Sequence, residues 1–352
     1  MNLNTLIIDH IREHGPMTIA DYMVLALAHP EYGYYIRKDP LGVQGDFITA
    51  PEISQVFGEI VGAWLVTQWV MMGKPNAALA ELGPGRGTLM ADILRATSKV
   101  KGFHESISVH LMEISPALRR KQWKSLAGKH PDIQWHLGFG EIPNKPLLLV
   151  ANEFYDALPI RQFLHLDGIW RERKIGLNVR DQLHFVLETV TPPYALMGEP
   201  ESDRYYEYCD AASQITTVIG ARILTYGGTA LIIDYGYENG NGDTLQAVHN
   251  HQYHDVLTDP GSADLTAHVD FYNLVHAAAA GGAHAYGTVS QAHFLTSLGA
   301  RERTEMLCKK ATPKQKKSLL AGLERLIAPD QMGELFKILC LISPDLPKPE
   351  GF

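Results

Sequence analysis

From residue 77 onward the chain repeats one pattern: a short apolar run, a tight loop, then an amphipathic stretch. AALAEL leads into GPGRG and a helix near 88–97, ISVHLMEI into a helix near 116–127, IQWHL into a short connection, and LLLVANEF into NEFYDALP. Apolar runs without alternation suit strands covered on both faces, and strands joined through helices cross over right-handed into a parallel sheet. The class is therefore α/β. TALIIDYG adds another buried strand, and HAYGTVS and LFKILCLIS are expected as the last two, with helices between them near 290–328.

Other stretches depart from this rhythm. Residues 3–28 read as two short helices, the second opened by Thr18 with Asp21 three residues on, the spacing of a capping box. Residues 29–52 are rich in Gly, Pro and aromatics, and a loop of that length is usually functional or mobile. It ends on Thr49, Pro51 and Glu52, a second capping-box start, ahead of a helix striped by Ile53, Phe57, Ile60 and Trp64. Residues 160–190 alternate in short segments around Gly168, Gly176 and Asp181, as in an antiparallel β insertion. A Pro-rich loop over 191–203 and a helix near 205–226 should follow, and 237–262 is polar and Gly-rich. The expected domains are an N-terminal helical region and covering loop, 1–76, and a main domain, 77–352, with 160–228 as an insertion contributing to substrate docking.

Composition narrows the function. A formal charge of −8 argues against nucleic acid as partner and favours small molecules or a protein surface. Cys209, Cys308 and Cys340 are far apart and odd in number, which suits reduced thiols and no zinc ligand pairs. The apolar stretch IVGAWLVTQWVMMG is shorter than the roughly 20 residues of a membrane span and contains Gln68. MNLNTLIIDHIREHG resembles neither a signal nor a transit peptide, so the expected location is the cytoplasm.

ELGPGRG, between a strand and a helix, carries Gly83, Gly85 and Gly87, which let the backbone turn tightly and meet a ligand at a helix N-terminus. Glu113 ends the next strand, where an acid can accept from both hydroxyls of a ribose. A dinucleotide site wants G-x-G-x-x-G beneath a pyrophosphate. This loop is G-x-G-x-G with Glu81 two residues ahead of it, a charge that suits the cationic amino-acid end of S-adenosylmethionine better.

The pieces HPEYGYY, GDFITAPEISQVFGE, ELGPGRGTLMADILR, MEISPALRRKQ, NEFYDALPIRQF, IIDYGY and DLTAHVDF occur in that order between residues 29 and 271. With them the chain resembles the MidA family of S-adenosylmethionine-dependent methyltransferases. That resemblance implies a class I methyltransferase sheet, Rossmann-like, of seven strands with the last hairpin reversed. It also implies S-adenosylmethionine as cofactor and arginine methylation on a core subunit of respiratory complex I during its assembly. By the same resemblance Gly45, Asp46 and Phe47 belong to a lid over the methionine end, and Pro84 and Asn152 join the cofactor set. The end of the fourth strand then faces the transferred methyl group, which puts Asn152 to Asp156 there. Glu153 and Asp156 have the chemistry to hold a guanidinium, which pairs best with planar carboxylates.

Each candidate has a plainer reading. Glu153 and Asp156 could bond a loop backbone and face solvent. Tyr32, Tyr34 and Tyr35 could line the site mouth or be core, and Asp234 and Tyr235 could bind ligand or finish a turn. Asp264, His268 and Asp270 resemble a catalytic cluster, with capping by either acid the alternative. His249, His251 and His254 match no zinc spacing, and no metal is expected. A non-catalytic assembly chaperone and an NAD-dependent oxidoreductase remain as alternative functions, and a homodimer is left open.

Overall fold

The computed structural model describes residues 2–37, 49–193, 196, 201, 203–238, 242–249 and 251–352. The chain divides into two compact units, Ile48–Tyr155 with Gln214–Gly236 and Leu274–Phe352, and Met1–Phe47 with Asp156–Ser213 and Tyr237–Asn273.

The first of these is built on a sheet whose main path has seven strands: β1 (Ala77–Leu82), β2 (Ile107–Met112), β3 (Ile133–His136), β4 (Leu147–Asn152), β5 (Gly228–Tyr237), β6 (His284–Ser290) and β7 (Phe336–Ile342). Their spatial order is β6-β7-β5-β4-β1-β2-β3. Neighbours from β3 through β5 run parallel, whereas β7 is antiparallel to both β5 and β6. The reversed strand is therefore the one slotted between β5 and β6. β1 and β4 are buried at every position, which is why they read as unbroken apolar runs.

Leu79, Val109, Leu148, Leu231 and Ile338 form the sheet side of one core, covered by helices α1 (Gln55–Met71) and α2 (Thr88–Thr97). The two helices touch through Gly58 and Gly62, one turn apart. A Cβ at Gly58 would lie 2.6 Å from Asp92 Cβ, so only glycine permits this approach. Helix α3 (Pro116–Leu126) follows β2; Ser115 caps it by accepting from Leu118 N–H at 3.3 Å, and Pro116 fills its first turn. Helix α1, expected with the 1–76 region, falls in the sheet unit.

The other unit holds the helices Leu3–His14 and Ile19–Ala28. Thr18 caps the second by accepting from Asp21 N–H at 3.0 Å, as its spacing predicts. Arg161–Leu166, Ile169–Leu177 and Leu183–Thr189 form the expected antiparallel insertion, with Asp167 and Gly168 at φ 53° and 75° closing its first hairpin.

Three local readings are corrected. Arg204–Tyr208 is a strand paired with Arg161–Leu166, and the helix starts only at Asp210, because the aromatic pair Tyr205–Tyr206 and inward Glu207 suit a pleated edge. Gly176 lies inside a strand, where a Cβ would come within 3.0 Å of Val186 Cγ1. The capping box at Thr49 does not form: Thr49 makes no side-chain cap bond, Ala50–Ile53 is a separate short helix, and Ser54 caps α1.

Candidate active site

All three loop glycines are left-handed: Gly83 at φ 62°, Gly85 at 54° and Gly87 at 79°. Gly87 N–H donates to Pro84 O at 2.7 Å and Gly83 N–H to Met112 O at 3.1 Å, so the loop is a tight turn anchored to β2. Gly87 stands at the N-cap of α2 without a side-chain cap, and Met90 N–H in the first turn goes to Glu81. A Cβ at Gly83 would sit 3.0 Å from the Phe154 ring, so this glycine also makes room for the end of β4.

Glu81 is buried inside β1. Burial pushes its carboxyl up to about 8, Glu113 adds to the rise, and a bond from the Met90 backbone opposes it. Among the described residues no donor reaches Glu81 Oε2. The same holds for Asn152 Oδ1 at the end of β4, whose Nδ2 donates to Glu153 Oε1 at 3.2 Å. β1 and β4 are parallel neighbours, with Leu82 opposite Ala151, so both acceptors lie at one carboxyl edge of the sheet. Buried acceptors without donors are costly unless a ligand supplies the hydrogens.

Glu113 ends β2 and is buried; desolvation raises its pKa, partly offset by the donors around it. Ser115 N–H reaches Oε1 at 2.7 Å and Gln122 Nε2 reaches Oε2 at 3.0 Å. Gln122 also donates to Gly85 O at 2.7 Å and accepts from Trp135 Nε1 at 2.9 Å. Sequence reasoning missed Gln122; its signal is a place two turns beyond the cap Ser115, on the same face of α3.

Glu153 has φ 50°, rare for a residue with a side chain and a mark of local strain at the end of β4. Its Oε1 accepts from Ala50 N–H at 3.3 Å, a cap on the first residue of the short helix from outside it, while Glu52 takes the Thr88 hydroxyl. Asp234 is fully buried and accepts from the N–H groups of Tyr155 and Tyr235, both at 3.0 Å, a backbone role.

Asp156 belongs to the other unit, buried, its carbonyl accepting from Ala267 N–H at 3.0 Å. There Tyr35 donates to Asp264 at 2.8 Å, and its hydroxyl is held well above the usual range by burial, then by the charges of Asp264 and Asp156. Asp264 is thus no cap, whereas Asp270 accepts from Tyr272 N–H at 3.0 Å and opens the helix Phe271–Ala280. Tyr34 is core, and Tyr32 stacks on His29 at 5.1 Å. Gly45, Asp46 and Phe47 lie outside the described residues.

An open, mostly parallel sheet in this strand order with its last strand reversed, a glycine turn after its first strand and an acid after its second, is the class I methyltransferase architecture. Residues 60–289 match the sequence model of a family described as "Putative S-adenosyl-L-methionine-dependent methyltransferase". The chain belongs to that family, and it is an S-adenosylmethionine-dependent methyltransferase. It is 39% identical to the Protein arginine methyltransferase NDUFAF7, mitochondrial, of Xenopus laevis, over 97% of this chain and 84% of that protein. The Homo sapiens protein of the same name is 37% identical, over 94% and 81%. A Burkholderia thailandensis protein solved bound to S-adenosyl-homocysteine superposes with TM-score 0.84 at 24% identity, covering 99% of this chain and 93% of its own. A native structure from that organism gives 0.82 at 25%, over 99% and 94%. These two likenesses carry the fold.

The residues present fit the cofactor. Glu81 Oε2 and Asn152 Oδ1 can accept hydrogen bonds, which the ammonium of S-adenosylmethionine can donate and a pyrophosphate cannot. Membership of this family sets the oxidoreductase alternative aside.

Proposed function

We propose that this methyltransferase acts on arginine of a protein, and that its target is a core subunit of respiratory complex I. The observation that carries the first half is near-full-length identity of 37–39% to relatives whose name is protein arginine methyltransferase. The second half rests on the resemblance to the MidA family.

In this reading Glu81 and Asn152 take the ammonium of the cofactor, Glu113 its ribose, and the turn from Gly83 through Pro84 and Gly85 to Gly87 lies against it. The cofactor supplies a methyl group on a sulfonium. The protein's tasks are to hold the guanidinium in line with that group and keep water out. Of the two acids expected to hold the guanidinium we assign it to Glu153, at the end of β4; Asp156 falls in the other unit. Glu153 Oε1 accepts from Ala50 N–H and Asn152 Nδ2, and a carboxylate is the planar anionic partner that a guanidinium pairs with best.

Mass spectrometry of complex I core subunits from cells with and without this protein tests the target. One or more methylarginines should vanish in its absence and return on complementation. Unchanged methylation of every core subunit would move the target elsewhere, and methylation found only on other residue types would remove arginine as substrate.

A further inference from the structure

Gln122 is fully buried on α3, and each polar atom of its amide has a partner. An indole N–H can only donate, so the amide oxygen must face Trp135, and the NH2 is turned the other way. The two amide hydrogens then go to Gly85 O and Glu113 Oε2, two acceptors on different elements. Gly87 rests on the same residue: a Cβ there would lie 3.4 Å from both Cα and Cγ of Gln122.

We propose that Gln122 is a positioning residue that sets Glu113 and the Gly85 peptide for the ribose of the cofactor. This rests on the reading of Glu113 as the ribose acid. Ser115 N–H and Gln122 grip one carboxylate oxygen each, fixing the plane of the carboxylate while leaving it further capacity as an acceptor. The carbonyl of Gly85 is pulled to the α3 side, and in a trans peptide the next N–H points the opposite way. A left-handed glycine turn has several peptide orientations open to it, and this tether selects one before the ligand arrives. Removing the amide leaves a buried carboxylate oxygen and a buried carbonyl without their donor, so neither Glu113 nor the Gly85 peptide is held in place for the ribose.

The test is calorimetry on the full chain with S-adenosyl-homocysteine and with its analogue lacking both ribose hydroxyls. The wild type should prefer the ribose form by roughly tenfold or more, and Glu113→Gln should lose that preference. Gln122→Met keeps the volume and removes the donors; it should weaken S-adenosyl-homocysteine roughly tenfold, leave the analogue nearly unaffected, and so erase most of the preference. Trp135→Phe, which removes the indole donor that orients the amide, should shift the ratio the same way by less. If Gln122→Met weakens both ligands equally while Glu113→Gln loses the preference, Gln122 is mere packing and the proposal falls while the ribose reading stands. If Glu113→Gln keeps the full preference, the ribose reading fails and takes the proposal with it. Should Gln122→Met not fold, an unchanged ratio in Trp135→Phe overturns the proposal.

Discussion

Glu81 and Glu153 show how much a single side chain is asked to do at the carboxyl edge of the sheet. The folded protein holds Glu81 at about 8 against an ordinary 4.5, so between those values the native state keeps a proton that the unfolded chain has lost. The contribution of Glu81 is then full below the lower value and is lost as pH rises through the upper one. Without ligand, the melting temperature should fall between about pH 5 and pH 8.5, and Glu81→Gln should flatten that fall. An identical slope in the mutant would mean that Glu81 is ionised in the free protein. Glu153 carries a different load. Its Oε1 caps Ala50, and an amide oxygen can do the same, so Glu153→Gln should keep stability within about 1 kcal/mol and keep cofactor affinity. Methyl transfer to arginine should fall sharply, because the charge on the guanidinium partner is gone. Melting temperature, S-adenosyl-homocysteine affinity and turnover, measured together, separate the two roles. Loss of stability ahead of activity would make Glu153 a cap and nothing more.

At the scale of elements, β2 and β3 carry a buried polar chain that no pattern in the sequence announces. Lys145 Nζ donates to Ser108 Oγ at 2.5 Å, and the hydroxyl meets His110 Nε2 at 2.7 Å. His110 Nδ1 meets His136 Nε2 at 2.9 Å. A lysine ammonium only donates, which leaves the Ser108 proton available to His110 Nε2, and a neutral His110 that accepts there carries its own proton on Nδ1, toward His136. Protonating His110 would break this order. Burial, then His136 and Lys145, push His110 down to about 4, with Arg222 also lowering it and Asp132 raising it. Because the folded value lies below the ordinary 6.5, the stability it contributes is full above 6.5 and lost as pH falls through 4. His110→Gln should be less stable than wild type at pH 7 by about 1–3 kcal/mol and should lose less on acidification to about pH 4.5, as denaturant titrations at both pH values would show. Equal losses on acidification in both proteins would place the titrating group elsewhere. The same contrast explains what could be read from the sequence. β1, β4 and β5 were legible because both faces are buried and the run of apolar residues says so. The glycine turn and Glu113 were legible because each ends a strand. The cap on Ala50 was not, since it comes from Glu153, 103 residues away in the chain. Gln122 was not, since its three partners lie on a loop and two strand ends.

For the molecule as a whole, the proposed target raises the question whether the cell needs the chemistry or only the chain, since a protein proposed to help assemble complex I could act by binding alone. The curated relatives align over 94–97% of this chain, both units included, so no segment stands out as a separate binding module. A variant that keeps the surface and loses the cofactor can decide. Gly85 has φ 54°, a conformation that costs an ordinary residue roughly 1–2 kcal/mol and a β-branched one more. Gly85→Val should therefore distort the turn and abolish S-adenosyl-homocysteine binding, while the seven strands and their core, which do not depend on this position, keep the protein folded. Circular dichroism and calorimetry establish those two properties first. Expressed in cells lacking the wild-type protein, Gly85→Val should restore neither the methylarginine nor complex I activity. Recovery of complex I without the modification would show that the chain assists assembly through contact alone, and the methyl transfer would then need another purpose. Recovery of both would mean that binding too weak for calorimetry still supports turnover in the cell, and that the turn is not what holds the cofactor.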